Sequence, residues 1–156
     1  IVVPKKEIYL FGSLIKKDKF ECVLEKGTEL GVSHFIPIIS ESSEKKNLNM
    51  DRARKIITEA VEQSGRVSIP RLYDIISLKD VFKTYPISYV VFDRKGGKVD
   101  VNSLPHTLGI LIGPEGGWSE LEQKFFETHN TSFFSFGNFT LKSETAAIAA
   151  ATLFLV

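Results

Sequence analysis

Cysteine is nearly absent. Cys22 stands alone, so the chain has no internal disulfide and no thiolate cluster for a metal. The three histidines, His34, His106 and His129, are scattered, and no metal site is expected. Long apolar runs are also missing. The longest, Ala146 to Val156, is interrupted by Thr152 and is too short to span a bilayer. No charged-then-apolar secretion signal opens the chain. These absences read as a cytoplasmic protein with no membrane partner. Net charge is scarce too: 20 Lys and Arg against 19 Asp and Glu leave +1, too little to hold a nucleic acid by charge alone. The excess is local, with Lys5, Lys6, Lys16, Lys17 and Lys19 near the start and Lys45 and Lys46 further on, and a solvated lysine face accounts for it. There is no internal repeat, no G-x-x-x-x-G-K-[ST] phosphate loop, no G-x-G-x-x-G opening a helix, no G-x-S-x-G elbow and no H-E-x-x-H.

What is present is ordinary in bulk and specific in places. The 156 residues suggest one domain, 43% hydrophobic and 25% charged. Short apolar segments alternate with helical patterns. Strands are expected at Glu7–Leu14, His34–Ser40, Ile87–Asp93, Leu108–Ile112 and Ser132–Phe136. Helices are expected from Asp18 to a stop at Gly31, from Asp51 to Ser64, from Ser77 to Tyr85, from Ser119 to His129, and from Ser143 or Glu144 to the end. Lys95-Gly96-Gly97-Lys98 and Gly137-Asn138 read as turns, and Glu41 to Asn49 as a polar loop. Gly27 inside the first helix implies close packing or a nearby ligand, because glycine there costs about 1 kcal/mol relative to alanine. The alternation argues for an α/β fold with a mostly parallel sheet covered by helices. The final helix is apolar on nearly every side, which points to burial against a second subunit.

The most informative segment is Leu108 to Glu122. A buried strand stops at Gly113-Pro114-Glu115-Gly116-Gly117, and Ser119 with Glu122 forms a capping box for the next helix. Three glycines in five residues let a backbone approach a ligand closely, at the strand end where open α/β sheets bind ligands. A plain tight turn would use the same residues. Glu115 disfavours a phosphate and suits a neutral or cationic ligand. A second strand–turn–helix unit lies at Phe133 to Ala150, and a third strand end at Phe92-Asp93-Arg94. Together the three could wrap one adenosine-sized molecule.

Four stretches in order, KGTELGV (Lys26 to Val32), EAVEQSGR (Glu59 to Arg66), LIGPEGGWS (Leu111 to Ser119) and FGNFTLKSETA (Phe136 to Ala146), make the chain similar to the RsmE family. Those enzymes are bacterial methyltransferases of the SPOUT superfamily that methylate N3 of a uridine in 16S ribosomal RNA of the small subunit. The resemblance implies a SPOUT-type α/β sheet with helices on both faces and a deep C-terminal trefoil knot. Threading of that kind is not a default of chain topology. It also implies a homodimer and S-adenosylmethionine as cofactor, with 16S rRNA as partner. The family's N-terminal PUA-like RNA-binding domain has no counterpart here, in keeping with a chain that opens at Ile1 without methionine. The cofactor cradle would be Ile112, Gly113, Pro114, Glu115, Gly116 and Gly117. The second wall would be Phe136, Gly137, Leu141, Lys142 and Ser143 with Thr145 close by, and Phe92 and Asp93 would border the third side. Lys142 is expected to stabilise charge on the uracil or to position phosphate. Glu115 is a weaker candidate for a base. Glu59, Gln63 and Arg66 would shape the pocket wall, with a Glu62–Arg66 surface pair as an alternative, and Glu144 could complement a helix dipole. Lys142 and Ser42 stand where the family usually has arginine, which bears on the RNA contacts more than on the cofactor site. Other readings are methylation of a different RNA, or a non-catalytic RNA-binding dimer.

Overall fold

The computed structural model describes residues 4–129 and 131–156. Elements follow in chain order: β1 (Glu7–Ser13), α1 (Lys17–Leu30), β2 (His34–Ile39), α2 (Met50–Ser64), β3 (Arg71–Leu72), β4 (Ile76–Ser77), α3 (Val81–Thr84), β5 (Ser88–Gly97), β6 (Thr107–Ile112), α4 (Glu120–Glu127), β7 (Ser132–Phe134) and α5 (Ser143–Leu155). Short 3₁₀ turns occupy Leu78–Asp80 and Val101–Ser103. The strands form one sheet in the order β3-β2-β1-β6-β5-β7, with β4 also on β2, and every described pairing is parallel. The carboxyl ends of β1, β2, β5 and β6 therefore share one edge.

The central strands are buried on both faces, as parallel strands between helix layers must be. Alternation sorts their side chains. Ile8, Leu10, Val90, Leu108 and Ile110 join the core beneath α1, α2 and α5, while Phe11, Ile36, Tyr89, Val91 and Leu111 join the core beneath α3 and α4. Gly109 is a packing glycine: a Cβ there would come within 2.7 Å of the Tyr89 ring. That ring is deeply placed, its hydroxyl donates to the Tyr85 carbonyl, and burial pushes the phenol's pKa up. Gly27 has the same explanation, since a Cβ would lie 2.8 Å from the Phe35 ring of β2. Of the two readings of that glycine, close packing holds.

Three expectations change. The strand expected to end at Asp93 is not followed by a turn at Lys95–Lys98; β5 runs on to Gly97 through a register shift that sets Gly97 opposite Phe134. The glycines serve close approach: a Cβ on Gly96 would fall 2.3 Å from the Phe134 carbonyl carbon. Second, α5 buries one side within its own chain. Ala147, Ala150, Ala151 and Phe154 pack inward, whereas Thr145, Thr152 and Leu153 face outward. Third, Glu59, Gln63 and Arg66 do not wall the glycine-rich turn. Arg66 donates instead to the carbonyls of Thr28 and Val32 at 3.0 and 2.8 Å, clamping the end of α1, and Glu59 and Gln63 are exposed on α2. That clamp also replaces the Glu62–Arg66 pair.

Candidate functional site

The strand ends of β5, β6 and β7 open into one cavity of about 800 Å³. Ile112 leaves β6 buried, and Pro114 to Gly117 form a turn closed by the Gly117 amide donating to the Pro114 carbonyl at 2.9 Å. Gly117 has φ +75°, a conformation open to glycine and strained for other residues. Trp118 turns back beneath the loop, its indole N–H donating to the Phe92 carbonyl at 3.3 Å. Helix α4 then starts with the capping box anticipated from the sequence: Ser119 accepts from the Glu122 amide and Glu122 Oε1 accepts from the Ser119 amide. The other carboxylate oxygen of Glu122 accepts from the Glu41 amide at 3.0 Å, joining this helix to the chain leaving β2.

The opposite wall is the segment from Phe134 to Ser143. The Phe136 ring stacks on Phe92 with centroids 4.4 Å apart and planes 6° apart. Gly137 has φ +113° and reverses the chain, which then passes Leu141 and Lys142 into α5. Lys142 sits at the N-cap position, where its ammonium, a donor only, cannot cap the helix, and it lines the cavity. Ser143 is buried, and its hydroxyl donates to the Gly113 carbonyl at 2.6 Å, fastening one wall to the other. Asp93 Oδ1 accepts from the Lys95 amide, which fixes the third strand end.

Of the fourteen residues named from the sequence, twelve line this cavity: Phe92, Asp93, Ile112, Gly113, Pro114, Glu115, Gly117, Phe136, Gly137, Leu141, Lys142 and Ser143. Gly116 and Thr145 do not. A Cβ on Gly116 would meet Ser42 at 3.2 Å, so that glycine accommodates the loop after β2, and Thr145 lies exposed on α5. The cavity also takes in Arg94, Lys95, Trp118, Gln123, Phe134, Ser135, Asn138, Phe139, Thr140 and Ala146. Phe139 carries the clearest missed signal: an aromatic in a glycine-bounded turn, 86% exposed.

This geometry offers an aromatic wall of stacked Phe92 and Phe136, a backbone cradle, two carboxylates (Asp93 and Glu115) suited to a cationic ligand, and the Lys142 ammonium. Residues 3–155 match the family model described as an RNA methyltransferase domain. The ribosomal RNA small subunit methyltransferase E of Helicobacter pylori (strain 26695) is 31% identical over 156 residues, covering 97% of this chain and 68% of that protein. Its namesake in Bacillus subtilis is 32% identical, covering 92% of this chain and 63% of that protein. The crystal structure of the Neisseria gonorrhoeae enzyme of the same name, bound to S-adenosyl methionine, superposes with a TM-score of 0.90 at 27% identity, over 97% of this chain and 66% of that one. The chain thus spans about two thirds of the length of these relatives.

Proposed function

The chain belongs to the RNA methyltransferase domain family, within it to the ribosomal RNA small subunit methyltransferase E proteins, and has their SPOUT-type α/β fold; on that premise we propose that residues 1–156 form one catalytic domain that methylates N3 of a uridine in 16S rRNA. The observation that carries the reading is the joining of three strand-end loops around one cavity of about 800 Å³, within the range of small-molecule sites.

The cavity fits S-adenosylmethionine, which when bound supplies a methyl group on a positively charged sulfur. The Phe136 ring, backed by Phe92, gives an adenine an aromatic face at the cavity wall, and the Ile112–Gly117 and Gly137 backbones suit a bent ligand held by main-chain groups. Asp93 and Glu115 give the carboxylates a sulfonium favours. Transfer to a ring nitrogen needs little covalent help from protein and much positioning, since in-line geometry supplies most of the acceleration. The uracil N3 proton must also leave. The Lys142 ammonium at the cavity mouth stabilises the negative charge that develops on the uracil oxygens. Glu115, exposed in the turn, is a carboxylate at the cavity able to accept that proton. The trefoil threading and the homodimer belong to this reading, the outer face of α5 with Leu153 being the surface it assigns to the second subunit. Among the described residues no helix is long and apolar enough to cross a membrane.

The test is transfer of a labelled methyl group to unmethylated small ribosomal subunits by the full-length protein, with the product nucleoside identified after digestion. Label recovered as N3-methyluridine supports the assignment. Label in another nucleoside reassigns the substrate, and no transfer despite measurable cofactor binding defeats the catalytic reading.

A further inference from the structure

A second cavity, of about 400 Å³, opens beside the first and takes no part in holding the cofactor. Its position follows from the register of the sheet. Gly12 of β1 pairs with Ile112 of β6, so the two chains leave the sheet at the same level on neighbouring strands. From Gly113 the chain enters the cofactor cradle; from Leu14 and Ile15 it enters the second cavity. The helices behind the two openings are held together by an ion pair between Lys19 of α1 and Glu144 of α5, at 3.7 Å. The loop that closes the second cavity begins at Glu41 and Ser42, which touch Glu122 and the Gly116 turn of the first.

The chemistry of the two halves of this cavity differs. Its floor is apolar: Leu14, Phe20 and Ala53 are buried there and Leu48 closes over them. Its rim carries Lys17, Lys45 and Arg52 against one carboxylate, Glu21. Arg52 neutralises that carboxylate, its Nε donating to both oxygens at 2.8 and 2.9 Å. Among the described residues Lys17 and Lys45 have no acidic partner, so the rim is left with two free positive charges. The side-chain amide of Asn47, at the same rim, makes no hydrogen bond among the described residues and can both donate and accept. An apolar floor, a bifunctional amide and two unpaired ammonium groups are what a nucleotide of single-stranded RNA needs for its base, its base edge and its phosphates.

We infer that this cavity is an acceptor-strand subsite, which receives an RNA nucleotide beside the methylation centre with its phosphates on Lys17 and Lys45. The inference rests on the methyltransferase reading and deepens it. It explains how a chain with almost no net charge engages RNA: the positive charge is placed at one opening next to the cofactor instead of being spread over a face.

Lys17→Glu/Lys45→Glu is the deciding variant, because both side chains are exposed and neither belongs to the cofactor cavity. Steady-state transfer to small ribosomal subunits at saturating cofactor is expected to show KM raised by about tenfold or more, with kcat little changed. The slope of log affinity for RNA against log salt should become shallower by about 1 to 2. Cofactor affinity by calorimetry and the thermal midpoint should stay at wild-type values. Lys17→Arg/Lys45→Arg should restore KM, and Lys79→Glu/Lys83→Glu, the same charge change on the 3₁₀ turn and α3, should leave it alone. An unchanged KM in the first variant, or an equal rise in the control, overturns the subsite. A second arm does not depend on transfer: RNA carrying 4-thiouridine is photo-cross-linked to the protein and the adduct is mapped. Adducts within residues 14–21 or 45–53 support the subsite, and adducts confined to other segments overturn it. If wild-type protein transfers no methyl group yet cross-links here, the catalytic reading fails while the nucleotide site stands.

Discussion

The Ser143 hydroxyl donates to the Gly113 carbonyl at 2.6 Å, across 30 residues of chain, and so ties the start of the last helix to the end of β6. Both residues line the cavity of about 800 Å³, so the bond ties two of its walls together. Ser143→Ala leaves the half-buried Gly113 carbonyl without its partner, at a cost of about 1 kcal/mol. The expected result is a lower thermal midpoint together with weaker cofactor binding. Adding cofactor should recover part of the lost midpoint, since a ligand that binds only the folded state stabilises it. A variant with a wild-type midpoint and wild-type affinity would show that the bond does not set the cavity.

Glycines 96 and 97 are adjacent in sequence and opposite in consequence. A Cβ at 96 would overlap the Phe134 backbone, whereas at 97 it would meet nothing within 4 Å. Gly96→Ala should therefore push β7 away from β5, destabilise the domain by about 1–3 kcal/mol as overpacking does, and lower cofactor affinity by displacing Phe134 to Phe136. Gly97→Ala should behave as wild type in both respects. Denaturant titration and calorimetry on the pair read this directly.

Glu122 serves three backbone groups at once, accepting from the Ser119 and Glu41 amides while its own amide bonds the Ser119 hydroxyl. Glu122→Ala removes the capping box and strands the buried end of the 41–43 loop. A loss of about 1–3 kcal/mol is expected, from the cap and the charge-assisted bond to Glu41 together. Because the same loop leads to Lys45, RNA affinity should fall along with stability, and cofactor affinity should fall less.

At the other edge of the sheet Glu7 accepts from His34 Nε2 at 2.8 Å and from the Thr107 hydroxyl at 3.1 Å. A carboxylate only accepts, so Nε2 carries the hydrogen of that bond, and Nδ1 is hydrogen-bonded to the Tyr73 hydroxyl at 2.9 Å. The bond from His34 is the main reason the Glu7 carboxyl lies below its ordinary value of 4.5. A lowered folded-state pKa gives stability that is complete above 4.5 and disappears as pH falls through the lower folded value. The stability gap between wild type and Glu7→Gln should be widest above that pH and narrow below it. Denaturation midpoints measured from pH 6 down to about 3 should display the convergence; a constant gap would remove Glu7 from the acid response.

Lys142→Ala should lower the rate of transfer while leaving cofactor affinity nearly intact, because the side chain is neither a cap nor part of an ion pair among the described residues. Lys142→Arg should retain most of the rate, the charge being preserved. Single-turnover transfer with saturating RNA separates this effect from binding.

The sequence carried the strands and the cradle well, for a common reason: local patterns decide both. Short apolar segments located β1, β5 and β6, and Gly31 and the Ser119–Glu122 box marked helix ends that the structure keeps. What was not legible depended on partners far away in sequence. Nothing local tells that Gly96 accommodates Phe134, that Gly116 faces Ser42, or that Arg66 clamps the carbonyls of α1. Lys6, one of the lysines read as solvated, is buried and donates to the carbonyls of Leu104 and Pro105, an outcome that only the meeting of β1 with the segment before β6 could produce.

The dependence of the cradle on Ser143 and Glu144 has a consequence for biosynthesis. Both follow their partners, Gly113 and Lys19, in order of synthesis. At about 5–20 residues per second, β1, β2, β5 and β6 are all made seconds before Ser143. A nascent chain of this protein therefore has its central strands before it has the tie that fixes the walls of the cavity.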